Sequence, residues 1–488
     1  MRWLAGLVLL ALVALGAAYF VAGRETPPVL RIDKPERVVG QAGTLEVVAE
    51  APRARLATLT ITLEQNGRTF PLFSLDGAQS ANVTQVDPNR IRVSRPLGKR
   101  SVPELQSGTA RIVVAATRGS FLNLRTLSST MSKDIQVRLE PPSIAVVSTH
   151  HHVNHGGSEM LVYRATPADV ASGVRVGEVE YPGYPASGAG VPSDAGLKTV
   201  FFGLLYDQDL NAPIIAFARD EAGNETKATF VDNVFQKPQK RSRIELDDGF
   251  VNRVVPEILA HSPELKIGTP AEGEDMLPAF LKINGELRRI NADEIAALAS
   301  KTSSKKLWEG PFVQLGNSQV EASFADHRTY RRKGKDVDQQ VHLGFDLAVT
   351  SRVAIVAANA GKVVNARWLG IFGNCVILDH GMGVQSLYGH LSSLDVKVGD
   401  TVTKGQTIGR SGMTGLAAGD HLHFTMLVNG HPVNPVEWWD PHWIQDRVER
   451  KLSEAGAPQP SNGPVARGSA EPLRNENALT KKARPRRR

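Results

Sequence analysis

Apolar and polar residues alternate with a period of two over much of residues 27–140. Leu59, Ile61 and Leu63 are separated by threonines, and an Asn-Gly pair follows shortly after them. Such alternation predicts strands with one buried face, and Asn-Gly is a preferred two-residue hairpin turn. We therefore predict a β-sandwich of immunoglobulin-like type over this region, ending at the Pro-Pro pair that follows it.

A second strand-rich region covers residues 141–235. Its apolar runs include Met160–Tyr163 and Val200–Leu205, and polar, turn-forming segments separate them. The Asp-Glu-Ala-Gly-Asn sequence at 220–224 resembles the closing turn of many bacterial immunoglobulin-like domains. We predict a second immunoglobulin-like β domain here.

The apolar period changes to a helical one after residue 245. Phe250, Val254 and Ile258 are spaced for one helix face, and the sequence Asn-Ala-Asp-Glu at 291–294 has the form of a capping box. These patterns predict a short helical segment over residues 245–306. Packing near a groove of the next domain, a spacer role and autoinhibition all stay open for this segment.

The N-terminal end is an uninterrupted apolar run between Arg2 and Arg24. About twenty apolar residues are enough to cross a bilayer as a helix. A cleaved signal peptide is the alternative, because residues 16–18 are small, but no clean small-x-small cleavage site precedes Arg24. We expect residues 1–24 to be an uncleaved single-pass anchor in the inner (cytoplasmic) membrane, with the bulk of the chain in the periplasm or extracellular space.

Composition adds two limits. A length of 488 residues, with 44 glycines and 29 prolines, favours about three domains rich in short strands and turns. Cys375 is the single cysteine, so internal disulfides are excluded, and its apolar surroundings indicate a buried small hydrophobe rather than a ligand.

The C-terminal residues 453–488 contain few large apolar residues and end in a run of lysines and arginines. This composition predicts a disordered basic tail. Much of the formal net charge of +7 lies in it, so docking to anionic lipid headgroups or to an anionic cell-wall polymer is one expectation, and a solvated terminus is the other. Nucleic acid is not an expected partner.

Candidate chemistry is concentrated near the end of the folded region. His421 and His423 stand two residues apart between apolar neighbours, which places both on one face of a strand. His342 and Asp346 are four apart, roughly 13 Å on a straight strand, which is too far for one ion. The chain must bend between them, and Gly344 permits a bend at low steric cost. We predict a metal site with an open coordination position, as in a catalytic zinc site.

Three motifs occur in a fixed order: His-x-Gly-x-Asp from His342, Tyr-Gly-His from Tyr388 and His-x-His from His421. Together they resemble the lysostaphin-type (LytM-like, M23) zinc endopeptidases of bacterial cell walls, over roughly Phe312–Trp439. The lead-in Phe324–Tyr330 and a closing Val-Asn-Pro are part of the resemblance. No expected motif position is missing, which argues against a non-catalytic relative.

The resemblance implies a role for each motif residue. It implies that His342, Asp346 and His423 bind Zn²⁺ and that His390 and His421 act on the substrate and the water. A neutral imidazole can accept a proton and an imidazolium can donate one to the leaving amine. Which of the two histidines is the general base stays open.

Residues 308–444 form this C-terminal domain in our interpretation. Apolar strand-like runs punctuated by glycines fill it, and no ligand pair has helical spacing, so we predict antiparallel β structure. Phe345 departs from the family pattern, where an aliphatic residue is usual, and we expect it to change packing but not metal binding. The whole chain is thus predicted to be mainly β.

The expected function is that of a membrane-anchored zinc endopeptidase that hydrolyses peptide cross-links of peptidoglycan, with stem peptides as its substrate. A non-enzymatic protein of the same fold, which binds peptidoglycan or activates another hydrolase, is the main alternative. A β-sandwich adhesin or scaffold is a third. Which bond is cut stays open.

A further group of histidines lies in the second β region, at His150, His151, His152 and His155. A second metal site is one interpretation. No carboxylate has a matching spacing, so we expect a polar loop instead.

Overall fold

The computed structural model describes residues 2–22, 25–52, 54–77, 82–87, 89–120, 125–271 and 273–458. Strands dominate it, so the prediction of a mainly β chain is confirmed. The predicted basic tail over residues 453–488 lies outside the described residues from 459 onward.

The first helix, α1 (Arg2–Ala22), occupies the predicted anchor. Among the described residues, however, no helix meets the combined length and apolarity required to cross a membrane. The prediction of a membrane anchor over residues 1–24 is therefore not supported.

The first β region packs two sheets face to face. Its strands are β1 (Val29–Lys34), β2 (Val38–Val39), β3 (Gly43–Glu50), β4 (Leu56–Gln65), β5 (Arg68–Ser74), β6 (Asn82–Asp87), β7 (Arg90–Leu97), β8 (Gly108–Ser120) and β9 (Arg125–Val137). One sheet has the order β1-β3-β7-β6 and the other β2-β9-β8-β4-β5. Leu59, Ile61 and Leu63 of β4 point into the core between the sheets, as their alternation predicts. The immunoglobulin-like type of this region stays a prediction.

The second β region contains two four-stranded sheets and a parallel pair. Its strands are β10 (Ser143–Val146), β11 (His152–Asn154), β12 (Ser158–Thr166), β13 (Ala171–Val176), β14 (Val179–Pro182), β15 (Tyr184–Pro185), β16 (Leu197–Gly203), β17 (Ile214–Arg219), β18 (Glu225–Thr229) and β19 (Asn233–Phe235). The sheet orders are β10-β12-β16-β15 and β14-β13-β17-β18, and β11 pairs with β19.

The predicted helical segment follows strand β20 (Arg241–Glu245). It consists of α2 (Asp248–His261), α3 (Leu277–Lys282), a π-helical turn (Ile283–Leu287) and α4 (Arg288–Ala299). Val254 and Ile258 of α2 are fully buried, which confirms the predicted apolar face. The predicted capping box at 291–294 is wrong: Asn291 lies inside α4, and its Oδ1 accepts a hydrogen bond from the backbone N–H of Ile371 instead of capping the helix.

The C-terminal domain is built on an eight-stranded sheet. Its strands and helices are β21 (Gln319–Ala322), β22 (Asp326–Arg332), β23 (Lys335–His342), β24 (Phe345–Ala348), β25 (Ala354–Val356), β26 (Gly361–Trp368), β27 (Asn374–Gly381), β28 (Val384–Leu391), β29 (Ser393–Leu394), β30 (Thr401–Val402), β31 (Thr407–Arg410), β32 (His421–Val428), β33 (His431–Val433), α5 (Pro435–Trp439), α6 (Pro441–Ile444) and α7 (Arg450–Glu454). The large sheet has the order β21-β24-β32-β28-β27-β26-β30, with β33 beside β32. Its strand pairs are antiparallel.

One hydrophobic core connects the second β region with the C-terminal domain. Phe201 of β16 packs against Trp308 and Trp438, whose ring centroids lie 6.2 and 5.7 Å from its own. The helical segment packs on a different side of the C-terminal domain, where its core includes Ile371 from the turn between β26 and β27. The C-terminal domain thus packs against the second β region on one side and against the helical segment on another.

Candidate metal centre

Four strands bring the motif residues together. β24 and β28 both pair with β32, with Asp346 opposite His423 on one side and Gly389 opposite His423 on the other. His342 is the last residue of β23, which belongs to a separate sheet of order β20-β22-β23. The chain therefore changes sheets between His342 and Asp346, where the sequence predicts a bend.

Gly344 lies in this bend, in close contact with the strand that carries His423. A Cβ atom at this position would lie 2.6 Å from ring atoms of His423 and 2.6 Å from Oγ1 of Thr425. Real Cβ contacts do not approach so closely, so a larger residue would displace the His423 ring. Glycine is therefore required at this position for the close approach of the chain to His423 and Thr425.

Three side-chain atoms meet in a tight triangle. Nε2 of His342 lies 2.9 Å from Oδ1 of Asp346, Nδ1 of His423 lies 3.0 Å from the same oxygen, and the two nitrogens are 3.1 Å apart. Ligand atoms of a tetrahedral zinc site are separated by about 3.3 Å, given bonds of about 2.0 Å. Within the described residues, this trio is the group able to hold a metal ion.

Hydrogen bonds on the far side of each ring determine which nitrogen faces the triangle. Nδ1 of His342 donates to the carbonyl of Ser323 over 3.1 Å, because a carbonyl oxygen only accepts. Nε2 of the neutral ring then carries the lone pair, and it is Nε2 that faces Asp346.

The second ring is oriented by Thr425. Its hydroxyl donates to the carbonyl of Leu343 over 3.0 Å, so the same oxygen accepts from Nε2 of His423, also at 3.0 Å. Nδ1 of the neutral His423 ring is left with its lone pair and points at Asp346. Two imidazole lone pairs and a carboxylate oxygen thus converge, an arrangement that a cation satisfies. The donor set fits a metal ion.

His390 and His421 lie beside this triangle, and within the described part of the chain each bonds the backbone through Nδ1 and not through Nε2. Nδ1 of His390 donates to the carbonyl of Thr414, and Nδ1 of His421 donates to that of Gly419, both over 2.8 Å. The two ring centroids are 4.8 Å apart, and Nε2 of His421 lies 3.5 Å from Oδ1 of Asp346. The backbone of His390 has φ +63°, a left-handed conformation that costs a non-glycine residue about 1–3 kcal/mol and is typical of functional sites.

Burial and mutual contacts set the protonation of the cluster. Burial alone would raise the pKa of Asp346, but the neighbouring imidazoles, His342 first, lower it well below its ordinary value. Burial lowers the pKa of His423 to about 4 and holds that of His390 well below its usual range. Asp346 is therefore ionised at neutral pH while His423 and His390 are neutral, and an ionised carboxylate and a neutral imidazole are the forms that bind metals.

Arg328 of β22 contacts the cluster, and the sequence patterns missed it. Its Nη2 donates to Oδ2 of Asp346 over 3.0 Å, and Nε lies 3.5 Å from Oδ2 of Asp326. Asp326 in turn accepts from Oγ of Ser242 in β20. Arg328 lies within the lead-in Phe324–Tyr330, to which the resemblance assigned no role. Membership in that lead-in is the one sequence feature that could have pointed to Arg328.

Two adjoining cavities open on the cluster, with volumes of about 250 and about 420 Å³. The smaller contains all five motif residues: His342, Asp346, His390, His421 and His423. The larger passes between α4 and the sheet, along His342 and His423. The site is thus a cleft large enough for part of a peptide.

The histidines of the second β region do not form a comparable group. His151 is buried with Nε2 against Oγ of Ser148, and Nε2 of His155 faces the carbonyl of Gln208. Neither belongs to a metal-binding cluster in the part of the chain that the structure describes. Cys375 is fully buried, and burial raises the pKa of its thiol, as expected of a packed small residue.

Residues 340–435 match the family model of Peptidase family M23. Over 96 residues the chain is 41% identical to an uncharacterized metalloprotease of Haemophilus influenzae, covering 20% of this chain and 20% of that protein. It is 40% identical over 96 residues to the peptidoglycan DD-endopeptidase ShyA of Vibrio cholerae, covering 20% and 22%. The chain therefore matches about a fifth of the length of these curated relatives.

Among solved structures, the chain is similar to the catalytic domain of lysostaphin from Staphylococcus simulans. The two are 30% identical with a TM-score of 0.24, and the match covers 27% of this chain and 98% of that domain.

Proposed function

We propose that this chain, whose residues 340–435 form a domain of Peptidase family M23, is a zinc endopeptidase that hydrolyses peptide cross-links of bacterial peptidoglycan. The family is one of metallopeptidases, and relatives named as peptidoglycan DD-endopeptidases share this segment. The observation that carries the proposal is the convergence of two imidazole lone pairs and one carboxylate oxygen within 3.1 Å of one another.

His342, Asp346 and His423 are the proposed metal ligands. A bound Zn²⁺ lowers the pKa of a coordinated water toward 7 and polarises a carbonyl. Zinc is favoured because two imidazoles and one carboxylate with room for a further ligand are typical of catalytic zinc sites.

His390 and His421 are the proposed proton-handling residues. The Nδ1–H bonds to the carbonyls of Thr414 and Gly419 fix both rings, so each has Nε2 available in the cleft. Each Nε2 can accept a proton from the attacking water, or deliver one to the leaving amine. The short separation of the two rings lets them act on one scissile bond.

The substrate determines the proposed place of action, which is the cell wall outside the cytoplasmic membrane. Binding of an anionic wall polymer or lipid by the basic tail stays a prediction, because that tail lies outside the described residues.

Digestion of purified, cross-linked sacculi by the full-length protein tests the proposal. We expect mass spectrometry to show cross-linked muropeptides converted to monomers with zinc present, and no conversion after chelation. A His421→Ala variant is the matched control, since it should retain the metal ligands and convert the muropeptides about a hundredfold to ten-thousandfold more slowly. Absence of conversion by the zinc-loaded wild type would favour the non-enzymatic, peptidoglycan-binding alternative.

A further inference from the structure

Arg288, the first residue of α4, lies where the two cavities meet. Five residues line both cavities: Arg288, His342, Ile371, Phe372 and His423. Arg288 is the one among them with a permanent charge. It precedes the matched family segment 340–435, so the helical segment of this chain contributes it to the cleft.

The Arg288 guanidinium is held in position by an amide rather than by direct contact with a carboxylate. Its Nε donates to Oδ1 of Asn284 over 2.9 Å, and Nδ2 of Asn284 donates to Oδ2 of Asp338 over 2.7 Å. Asn284 is fully buried in the π-helical turn, and its amide separates the arginine from this acid. Among the described residues, no carboxylate forms an ion pair with Arg288.

Arg328, in the same cavity, has a different environment. It contacts two carboxylates, those of Asp346 and Asp326. Glu321 also lines this cavity, but its charge acts on His421. Burial lowers the pKa of Arg288, as does the nearby positive charge of Arg328, while Tyr330 and Asp338 oppose this shift. Arg328 thus has two carboxylates in direct contact, whereas the amide of Asn284 lies between Arg288 and Asp338.

The surroundings of Arg288 are rigid and partly apolar. Oδ1 of Asn291, one turn further along α4, accepts from the backbone N–H of Ile371 over 3.1 Å, which fastens the helix to the cleft wall. A Cβ on Gly370 would lie 2.2 Å from that same oxygen, so the backbone and the Asn291 side chain are closely packed here. The side chains of Ile371 and Phe372 reduce the local exposure to water and strengthen electrostatic attraction there.

We infer that Arg288 binds a free carboxylate of the peptide substrate. Guanidinium groups pair with carboxylates through two parallel hydrogen bonds, and a partly desolvated cation that has no carboxylate in direct contact gains most from such a ligand. Stem peptides carry carboxylates at their C-terminal ends and on diamino-acid residues. The inference rests on the proposed function and names its substrate class: cross-link peptides with a free carboxylate, in preference to amidated ones.

Matched synthetic cross-link peptides test this inference. One series has all carboxylates free, a second has the C-terminal carboxylate amidated, and a third has the diamino-acid carboxylate amidated. Binding is measured by calorimetry on the full-length, chelator-treated protein, and hydrolysis is measured separately on the zinc-loaded protein. The variants are Arg288→Gln, Arg288→Lys and, as a control, Lys282→Gln, which removes an exposed charge from the same segment.

We expect one of the amidations to weaken binding to the wild type about tenfold to a hundredfold, the effect of losing a charged hydrogen bond. Arg288→Gln should bind the acid and the amide equally, Arg288→Lys should keep part of the preference, and Lys282→Gln should keep all of it. The corresponding change in hydrolysis should appear mainly in KM.

Equal wild-type binding of all three peptides, or a preference that survives in Arg288→Gln, would overturn the inference. The wild-type comparison needs no substitution, so a misfolded variant cannot obscure it. Failure to hydrolyse any of the peptides counts against the proposed endopeptidase activity alone, because the binding measurement still decides the role of Arg288.

Discussion

Arg328 donates from Nη2 to Oδ2 of Asp346 over 3.0 Å, which leaves Oδ1 of that carboxylate to face His342 and His423. The contact crosses from one sheet to another, since Arg328 lies on β22 and Asp346 on β24. It makes the orientation of a metal ligand depend on a residue outside the three motifs.

Replacement of Arg328 by methionine should weaken metal binding about tenfold to a hundredfold, the usual cost of losing a partner that orients a ligand. Asp346 would then be free to rotate, and its negative charge would lose a buried counter-charge. Competition with a chromophoric chelator measures the apparent zinc affinity. Arg331→Met, which removes a more exposed ion pair on the same strand, is the control, and an unchanged affinity in Arg328→Met would refute the positioning role.

Substitutions of the proposed ligands and of the proposed proton-handling residues should differ in their effect on zinc binding. Alanine at His342 or His423 should abolish stoichiometric zinc binding, because two remaining ligands hold the ion poorly. Alanine at His390 or His421 should leave one zinc per chain while reducing turnover about a hundredfold to ten-thousandfold. Elemental analysis and muropeptide release, measured on the same samples, check both; loss of zinc from His390→Ala or His421→Ala would contradict the assigned roles.

Glu437 should make the stability of the folded chain decrease with rising pH. Burial raises its pKa to about 7, although Asn154 and Ser158 donate hydrogen bonds to the carboxylate. Between about pH 4.5 and pH 7 the folded state therefore binds more protons than the unfolded state, and the free energy of unfolding decreases as pH rises, by about 3 kcal/mol in total.

Glu437→Gln should remove this dependence, because a neutral amide does not titrate. Calorimetric unfolding temperatures at pH 5 and pH 8 measure it: the variant should gain at pH 8 relative to the wild type and not at pH 5. Exposed Glu264 provides the control substitution, Glu264→Gln. Identical pH profiles for the wild type and Glu437→Gln would show that the buried carboxyl does not titrate in this range.

Lys451 of α7 forms a fully buried ion pair with Glu159 of β12. Nζ of Lys451 lies 2.8 Å from Oε1 of Glu159, and neither side chain is exposed to solvent. Lys451→Met should destabilise the chain by about 3–5 kcal/mol, because it leaves the buried carboxylate of Glu159 with only the longer, 3.8 Å contact to Arg447.

Denaturant unfolding followed by tryptophan fluorescence measures this loss. The double variant Glu159→Gln with Lys451→Met should recover part of it, since no buried charge is left. Arg450→Met, which removes exposed pairs on the same helix, should cost less than about 1 kcal/mol. A single Lys451→Met variant as stable as the double one would contradict the argument.

The sequence by itself determined the composition of the site and its local geometry. A spacing of two on a strand places His421 and His423 on one face whatever their neighbours. His342 and Asp346, four residues apart, can reach one metal ion only if the chain bends between them. These inferences depend on backbone geometry over a few residues, and that geometry is the same whatever the strand packs against. The strand of alternating residues around Ile61 was predictable for the same reason.

Only the tertiary structure decided which residues from other elements reach the site. Arg328 and Arg288 approach the cluster through contacts between different elements, and no local period encodes such contacts. Thr425, by contrast, follows His423 by two residues on β32, so the strand period already places both on one face. Asn291 also shows that local sequence does not determine the partner of a side chain. Its sequence context suits a helix cap, yet its side chain instead contacts Ile371, 80 residues away. Local patterns fix where a side chain points relative to its own backbone, whereas its neighbours are fixed by the packing of the whole chain.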